Sequence, residues 1–371
     1  MAVPSNILIA PLDWGLGHAT RCIPVIKYFL AQGCTVRIGA SGPVAILLGA
    51  NFPDLEILPL DGYNIRYSRH RKAFAATIIF QVPKILKAIR REKKWLRRQQ
   101  ERYKFDLVIS DNRYGLQLKE VTSVIMTHQL QIHSGQGRVA DWLLRRFHYP
   151  LLQKFDQCWV VDNPGSNNIG GALSHPGTIP ANARYIGLLS QMEAGAVIGK
   201  GQQEQILVIL SGPEPMRGLL EAELLKQAAA CTAYTFILVA GNPGGCIPAD
   251  IPGNVQYHTY LDAAALQQQM TAAGFVICRS GYSTLMDLAA LYRKALLIPT
   301  PGQAEQEYLG NYLMKKGLFL CRKQELLDLE KDISEGLTYP GFSGNNYYDG
   351  GKLLGEAVTA AGKLPGEQTG S

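Results

Sequence analysis

Long apolar runs are missing from this chain of 371 residues. Without a stretch of about 18 consecutive apolar residues, no membrane-spanning helix is expected. The N-terminus has no basic leader before an apolar stretch and no small-residue cleavage pattern, so a secretory signal is not expected. Cysteine is sparse and unpatterned, seven residues with no CxxC spacing. That fits reduced thiols in the cytoplasm, with Cys158 and Cys278 reading as small buried hydrophobes. No Asp-x-Asp triad closes a strand and no His/Cys cluster has ligand spacing, so no metal is expected. Glycine and proline, 38 and 20 residues, stand near ordinary usage, which excludes fibrous and low-complexity classes.

What is present is enough for two ordinary domains, with 47% of residues hydrophobic. The charge is uneven. Residues 1–190 hold 24 Lys/Arg against 12 Asp/Glu, and residues 191–371 hold 13 against 18. Two halves with different partners are expected, the first facing something anionic.

Short Val/Ile/Leu-rich runs alternate with helical stretches. In the first half, strands are expected at 6–11, 35–40, 55–59, 106–110, 123–127, 157–161 and 184–186, with helices at 18–32 and 71–103, the latter kinked or broken at Pro83. In the second half, strands are expected at 206–210, 235–239, 255–258, 275–278 and 295–298. Helices follow at 217–230, 262–273, 282–292, 305–316 and 323–332. This alternation predicts an α/β fold of parallel sheets covered on both faces. The expected division is 1–190, a polar linker at 191–205, 206–335, and a C-terminal segment at 336–371 with a frayed end.

Ligands of such sheets bind beyond the carboxyl ends of the strands. The first strand runs into PLDWGLGH, where Gly15 and Gly17 allow a tight turn and His18 falls in the first helical turn. An imidazole there can remove a hydroxyl proton, though a Gly-rich turn with an exposed His reads equally simply. The fourth strand ends in Asp111-Asn112-Arg113, and Asp111 could orient His18 or merely cap a turn. His128 and Gln129 end the next strand, with His133 to Gly137 just beyond; these polar groups suit acceptor binding or a structural loop.

In the second half, Ser211 and Gly212 leave room for a diphosphate at a helix start, although Pro213 and Pro215 remove donors. Arg279, Ser280 and Gly281 open the better phosphate cradle, followed by the hydroxyls of Ser283 and Thr284. Asp287 falls one turn later and could accept two ribose hydroxyls. Gln303, Glu305 and Gln306 form an amide–carboxylate–amide set suited to sugar hydroxyls. Plain capping also accounts for Ser283, Thr284 and Glu305. The basic segment 68–104 reads as a helix lying on an anionic membrane surface or as a solvated one. No nucleic-acid recognition module accompanies it.

The segment CRSGYSTLMDLAAL…LIPTPGQAEQEYLGNYL, the Gly-rich turn ending in His18 and the strand end at His128-Gln129 together resemble glycosyltransferase family 28, the MurG-like GT-B enzymes that use UDP-sugars. The resemblance covers about residues 6–335. It implies two Rossmann-like doubly wound parallel-sheet domains facing across a cleft, with a helix within 346–361 returning to the first. It further implies that Arg279, Ser280 and Gly281 meet the diphosphate, Asp287 the ribose, and Glu305 and Gln306 the sugar. The uracil would meet backbone near Tyr260 and Leu261. Asp111-Asn112-Arg113 departs from the family's Gly-rich turn, and His128-Gln129 lacks its intervening Glu. Acceptor binding, involving Gly15, Gly17, Asn112, Arg113, His128 and Gln129, should therefore differ from that of the peptidoglycan enzymes.

The function so implied is inverting, metal-independent transfer of a sugar, an N-acetylhexosamine by the resemblance, from UDP to a hydroxyl of a lipid-linked or glycan acceptor. No cofactor beyond the UDP-sugar is expected, and the location is cytoplasmic, at the inner face of the membrane if the basic segment binds there. A UDP-sugar 2-epimerase or hydrolase on the same fold, or a non-catalytic nucleotide-sugar binder, remain the alternatives.

Overall fold

The computed structural model describes residues 5–13, 15–63, 74–132, 137–193, 202–242, 244–342, 347–349 and 351–362. The chain forms two compact units, Met1–Ser190 with Asp349–Ser371, and Gln191–Tyr348.

The first unit alternates β1 (Asn6–Pro11), α1 (Leu16–Ala31), β2 (Thr35–Ala40), α2 (Gly42–Asn51), β3 (Ile57–Pro59), α3 (Phe74–Tyr103), β4 (Leu107–Asp111), β5 (Thr122–Thr127), α4 (Arg138–Leu152), β6 (Gln157–Val160) and β7 (Ala183–Tyr185). The strands pair in the order β3-β2-β1-β4-β5-β6-β7, all parallel. Ile7, Leu8, Ile9, Val108, Ile109, Val124 and Ile125 have no exposed surface. Their β-branched and leucine side chains make strands that bury both faces, which a parallel sheet between helix layers requires. The helix α1 covers one face with Ala19, Cys22, Ile23, Val25, Ile26 and Phe29.

The second unit runs β8 (Gln202–Ile209), α5 (Met216–Ala228), β9 (Thr235–Val239), β10 (Val255–His258), α6 (Ala263–Ala272), β11 (Ala273–Cys278), α7 (Tyr282–Ala290), β12 (Ala295–Leu297), α8 (Ala304–Lys315), β13 (Leu320–Cys321) and α9 (Leu329–Leu337). Its parallel order is β10-β9-β8-β11-β12-β13. In each sheet the winding reverses between the first and fourth strands, β1 and β4 in one, β8 and β11 in the other. Those reversals are where a doubly wound sheet opens a crevice for a ligand.

A last helix, α10 (Lys352–Ala361), belongs to the first unit and buries Leu354, Ala357, Val358 and Ala361. Asp349 anchors it by accepting from Gly351 N (3.2 Å) and Leu353 N (2.8 Å). The same carboxylate sits where a Cβ on Gly187 would come within 2.7 Å.

Three local expectations change. The helix α3 is not broken at Pro83 but runs on through it. Beyond that proline its inner face is fixed by buried Ala88, Glu92 and Leu96 and by Trp95 Nε1 donating to Pro59 O at 2.9 Å, packing that outweighs one missing backbone donor. The helix expected at 323–332 is instead a 3₁₀ turn, Gln324–Leu326, followed by α9. Asp328 causes the break, because its side chain accepts from Lys331 N and starts a new helix there. The strand β8 begins at Gln202, inside the stretch read as linker. Residues 64–73 of the basic region, and His133 to Gln136, lie outside the described residues. In the described remainder of α3, Lys84, Lys87, Arg90, Arg91, Lys94, Arg97 and Arg98 form the exposed or half-exposed face. No described helix is long and apolar enough to cross a membrane.

Candidate active site

At the reversal point of the first sheet, β1 leads through Gly15 into α1, and β4 ends on Asp111. Gly15 serves as N-cap with φ 142°, a backbone conformation that side chains other than glycine's rarely take. That turn sets His18 in the first turn of α1, where its Nδ1 lies 2.9 Å from Asp111 Oδ2. The imidazole is 17% exposed and the carboxylate 0%. The register Pro11↔Asp111 makes the pairing possible, since it brings the two strand ends level.

A residue that the sequence reading passed over completes this cluster. Arg21, 3% exposed, donates from Nε to Asp111 Oδ2 at 2.8 Å and from Nη2 to Asp111 Oδ1. Its Nη1 donates to His128 Nδ1 at 2.6 Å, and its Nη2 lies 2.7 Å from His18 Nδ1. The spacing from His18 to Arg21, three along a helix, was the available signal, because it puts both on one face. His18, Asp111 and His128, proposed from three separate strand ends, are thus brought together around one guanidinium.

Electrostatics follow from this packing. Burial and the Arg21 charge lower the His18 imidazole below its ordinary value, against the pull of Asp111. Burial alone would raise the Asp111 carboxyl, but Arg21 and His18 outweigh it and hold it at about 2. The ring is therefore neutral and the carboxylate charged at neutral pH. The two neighbours of Nδ1 ask for opposite tautomers. With Nδ1–H donating to Asp111, the lone pair is on Nε2, the arrangement a general base needs.

The other first-unit candidates are placed differently. Arg113 is 1% exposed; its Nη2 donates to Asp61 O at 2.8 Å and its Nε lies 3.5 Å from Glu92 Oε1. Glu92 also accepts from Tyr63 Oη (2.8 Å) and Gly115 N (2.9 Å). Arg113 thus ties the turn after β4 to α3 rather than offering a free cation. Asn112, at φ 56°, is part-buried. Gln129 N donates to Thr127 Oγ1 at 3.1 Å, closing a turn beyond β5. Gly17 O accepts from Thr20 Oγ1 at 3.1 Å inside α1.

In the second unit, the ends of β8, β11 and β12 lie side by side. Ser211 and Gly212, after β8, are exposed, and Ser283 and Thr284 are half-exposed in the first turn of α7. That helix starts at Gly281 without a side-chain cap, leaving its N-terminal amides to other acceptors. Gln303 heads α8 in the same way, with Glu305 and Gln306 in the half-exposed first turn. Tyr260 and Leu261 follow β10, on exposed and half-exposed backbone.

Two donor-side residues are structural ties. Arg279 is 1% exposed, and its guanidinium donates to Ile298 O and Pro299 O (each 3.2 Å), Met216 O (2.8 Å) and Gln324 Oε1 (3.0 Å). Burial lowers it to about 10, so it remains charged at neutral pH. It binds the ends of β11 and β12 to the start of α5 instead of extending towards a diphosphate. Ser280 is buried and donates to Gln306 O at 2.7 Å, while Gln306 Oε1 accepts from Thr300 N at 2.8 Å. Asp287 is also buried. The buried Thr300 hydroxyl has no partner among the described residues and lies beside Gly212. It was not singled out from the sequence, where it reads only as part of a Pro-rich turn. No group of three His, Cys, Asp or Glu among the described residues is placed to hold a metal ion.

The solved structures that resemble this chain include a glycotransferase of kitacinnamycin, with TM-score 0.64 and 14% identity over 97% of this chain and 96% of that one. MurG of Acinetobacter baumannii has TM-score 0.59 and 16% identity over 97% and 100%. With the two Rossmann-type sheets, these define a GT-B fold. Residues 247–340 match the glycosyltransferase family 28 C-terminal domain, a span that holds the candidates from Tyr260 to Gln306. An uncharacterized glycosyltransferase of Methanosarcina acetivorans is 23% identical over 359 residues, 90% of this chain and 89% of its own. A UDP-N-acetylglucosamine--N-acetylmuramyl-(pentapeptide) pyrophosphoryl-undecaprenol N-acetylglucosamine transferase of a Nocardioides species is 30% identical over 229 residues, 54% of this chain and 60% of its own. The matches together support a glycosyltransferase similar to the family 28, MurG-like enzymes.

Proposed function

We propose that the protein transfers a hexosyl group, an N-acetylhexosamine, from a UDP-sugar to a hydroxyl of a lipid-linked or glycan acceptor, with inversion and without a metal ion. The observation that carries this reading is the imidazole of His18 held 2.9 Å from a buried carboxylate at the reversal point of the first sheet. In the proposed reaction, His18 Nε2 takes the acceptor's proton as its oxygen bonds to the anomeric carbon. The bond from that carbon to UDP breaks on the opposite face, through an oxocarbenium-like state. UDP leaves with the bonding pair. Its negative charge is met by the uncapped amide ends of α7 and α8. The donor sugar is read from the Nocardioides relative's name together with the amide–carboxylate–amide set at Gln303, Glu305 and Gln306. Metal independence is read from the missing Asp-x-Asp triad. Cytoplasmic placement, at an anionic membrane surface through the basic face of α3, belongs to the same reading.

His18→Ala is expected to lower transfer by about 10²–10⁴-fold while UDP affinity by calorimetry stays within about twofold. Undiminished transfer in that variant would remove the base assignment. Incubation with UDP-sugar alone separates the competing readings. Epimer or free sugar formed without acceptor points to an epimerase or hydrolase, and UDP binding without turnover in any acceptor extract points to a sensor.

A further inference from the structure

Asp111 presents a difficulty to a neighbouring base. A buried carboxylate whose only partner is an imidazole draws a proton onto the ring, and an imidazolium cannot accept another. Arg21 changes that balance. Its Nε and Nη2 grip both carboxylate oxygens, a two-point contact that fixes the carboxylate plane as a lysine could not. The same guanidinium stands 2.7 Å from His18 Nδ1 and donates to His128 Nδ1. A proton added to His18 would therefore create a second positive charge directly against a permanent one that is only 3% exposed.

We propose that Arg21 is the positioning residue of this site: it locks the Asp111 carboxylate in place and, as a fixed charge against the ring, keeps His18 uncharged until an acceptor hydroxyl releases its proton. This rests on the reading of His18 as the base. The groups facing the ring are Arg21 from α1, Asp111 from β4 and His128 from the end of β5, with Cys22 Sγ 4.0 Å from the Asp111 carboxylate. Of these, the guanidinium and the carboxylate press on the ring's charge in opposite directions. Removing the first leaves the second opposed only by burial and His128, so the ring should hold its proton to higher pH.

The test is the pH dependence of kcat/KM together with the NMR titration of the His18 ring in the full-length protein. The ring signal is assigned by its loss in His18→Gln. In Arg21→Gln the ring titration and the acid limb of the rate profile should both move up by about one pH unit, which near the limb is about a tenfold loss in rate that higher pH recovers. Arg21→Lys keeps the charge without the two-point grip. Its limb should stay within about 0.3 unit of wild type while kcat falls at every pH. An unmoved or lowered ring titration in Arg21→Gln overturns the proposal, as does an Arg21→Lys limb displaced as far as that of Arg21→Gln. If His18→Ala retains transfer, the base reading fails by itself, whereas the ring titration still reports what Arg21 does to the ring's charge.

Discussion

Asp111 is a charged group with no exposed surface, so its effect on stability follows the acidity of the medium. Held at about 2 when folded, against an unfolded value of about 3.9, it contributes stability that is complete above the unfolded value. That stability fades as pH falls towards 2, by about 2 kcal/mol. Asp111→Asn should be less stable than wild type at pH 7 by about 3–5 kcal/mol, because Arg21 loses its buried partner. The gap should narrow by about 2 kcal/mol between pH 5 and pH 2, as read by denaturant titrations at each pH. A constant gap would contradict the ion-pair account. At this scale, sequence reasoning found what strand ends determine, the placement of His18, Asp111 and His128. It could not find which way a guanidinium turns. Arg113 and Arg279 follow strands just as ligand-binding cations do, yet nearby backbone carbonyls and Glu92 draw them inward, and only packing settles that choice. Arg21 was hidden for the converse reason, an arginine inside a helix reading as solvated.

Elements were legible where composition is uniform. Strands built on apolar runs, such as Leu107–Ile109 in β4 and Phe275–Cys278 in β11, read directly, while the short β13 and the division between the 3₁₀ turn and α9 depend on single residues such as Asp328. The packing of α8 buries Leu309, Gly310 and Leu313, and its closest approach depends on the glycine. A Cβ on Gly310 would meet Cys321 Sγ at 2.5 Å, Pro299 Cγ at 3.2 Å and Ser280 Oγ at 3.5 Å. Gly310→Ala should therefore push α8 away from β12 and β13, with a loss of about 1–3 kcal/mol. The displaced helix carries Gln306, whose carbonyl holds Ser280. UDP affinity by calorimetry should accordingly fall several-fold in a protein that still melts cooperatively. Unchanged melting and affinity would show that the helix has room the contacts deny.

The molecule as a whole is not assembled in the order in which it is written. Its first unit draws on both ends of the chain, since α10 packs on β7 and Gly355 lies against the Tyr28 hydroxyl. Leu354→Ala, at a residue 2% exposed, should cost about 2–5 kcal/mol. Limited proteolysis should find that loss in peptides of the first unit, with those from 191–348 as resistant as before. Equal sensitivity in both would mean that α10 stabilises the chain generally. During synthesis this connectivity imposes a delay. The polypeptide leaving the ribosome exposes the strands of its first sheet early, then completes the whole intervening unit, and only after that receives the helix that covers the surface around Tyr28 and Gly187. Until then the nascent amino-terminal part carries an uncovered apolar face, a place where a folding helper would have reason to wait.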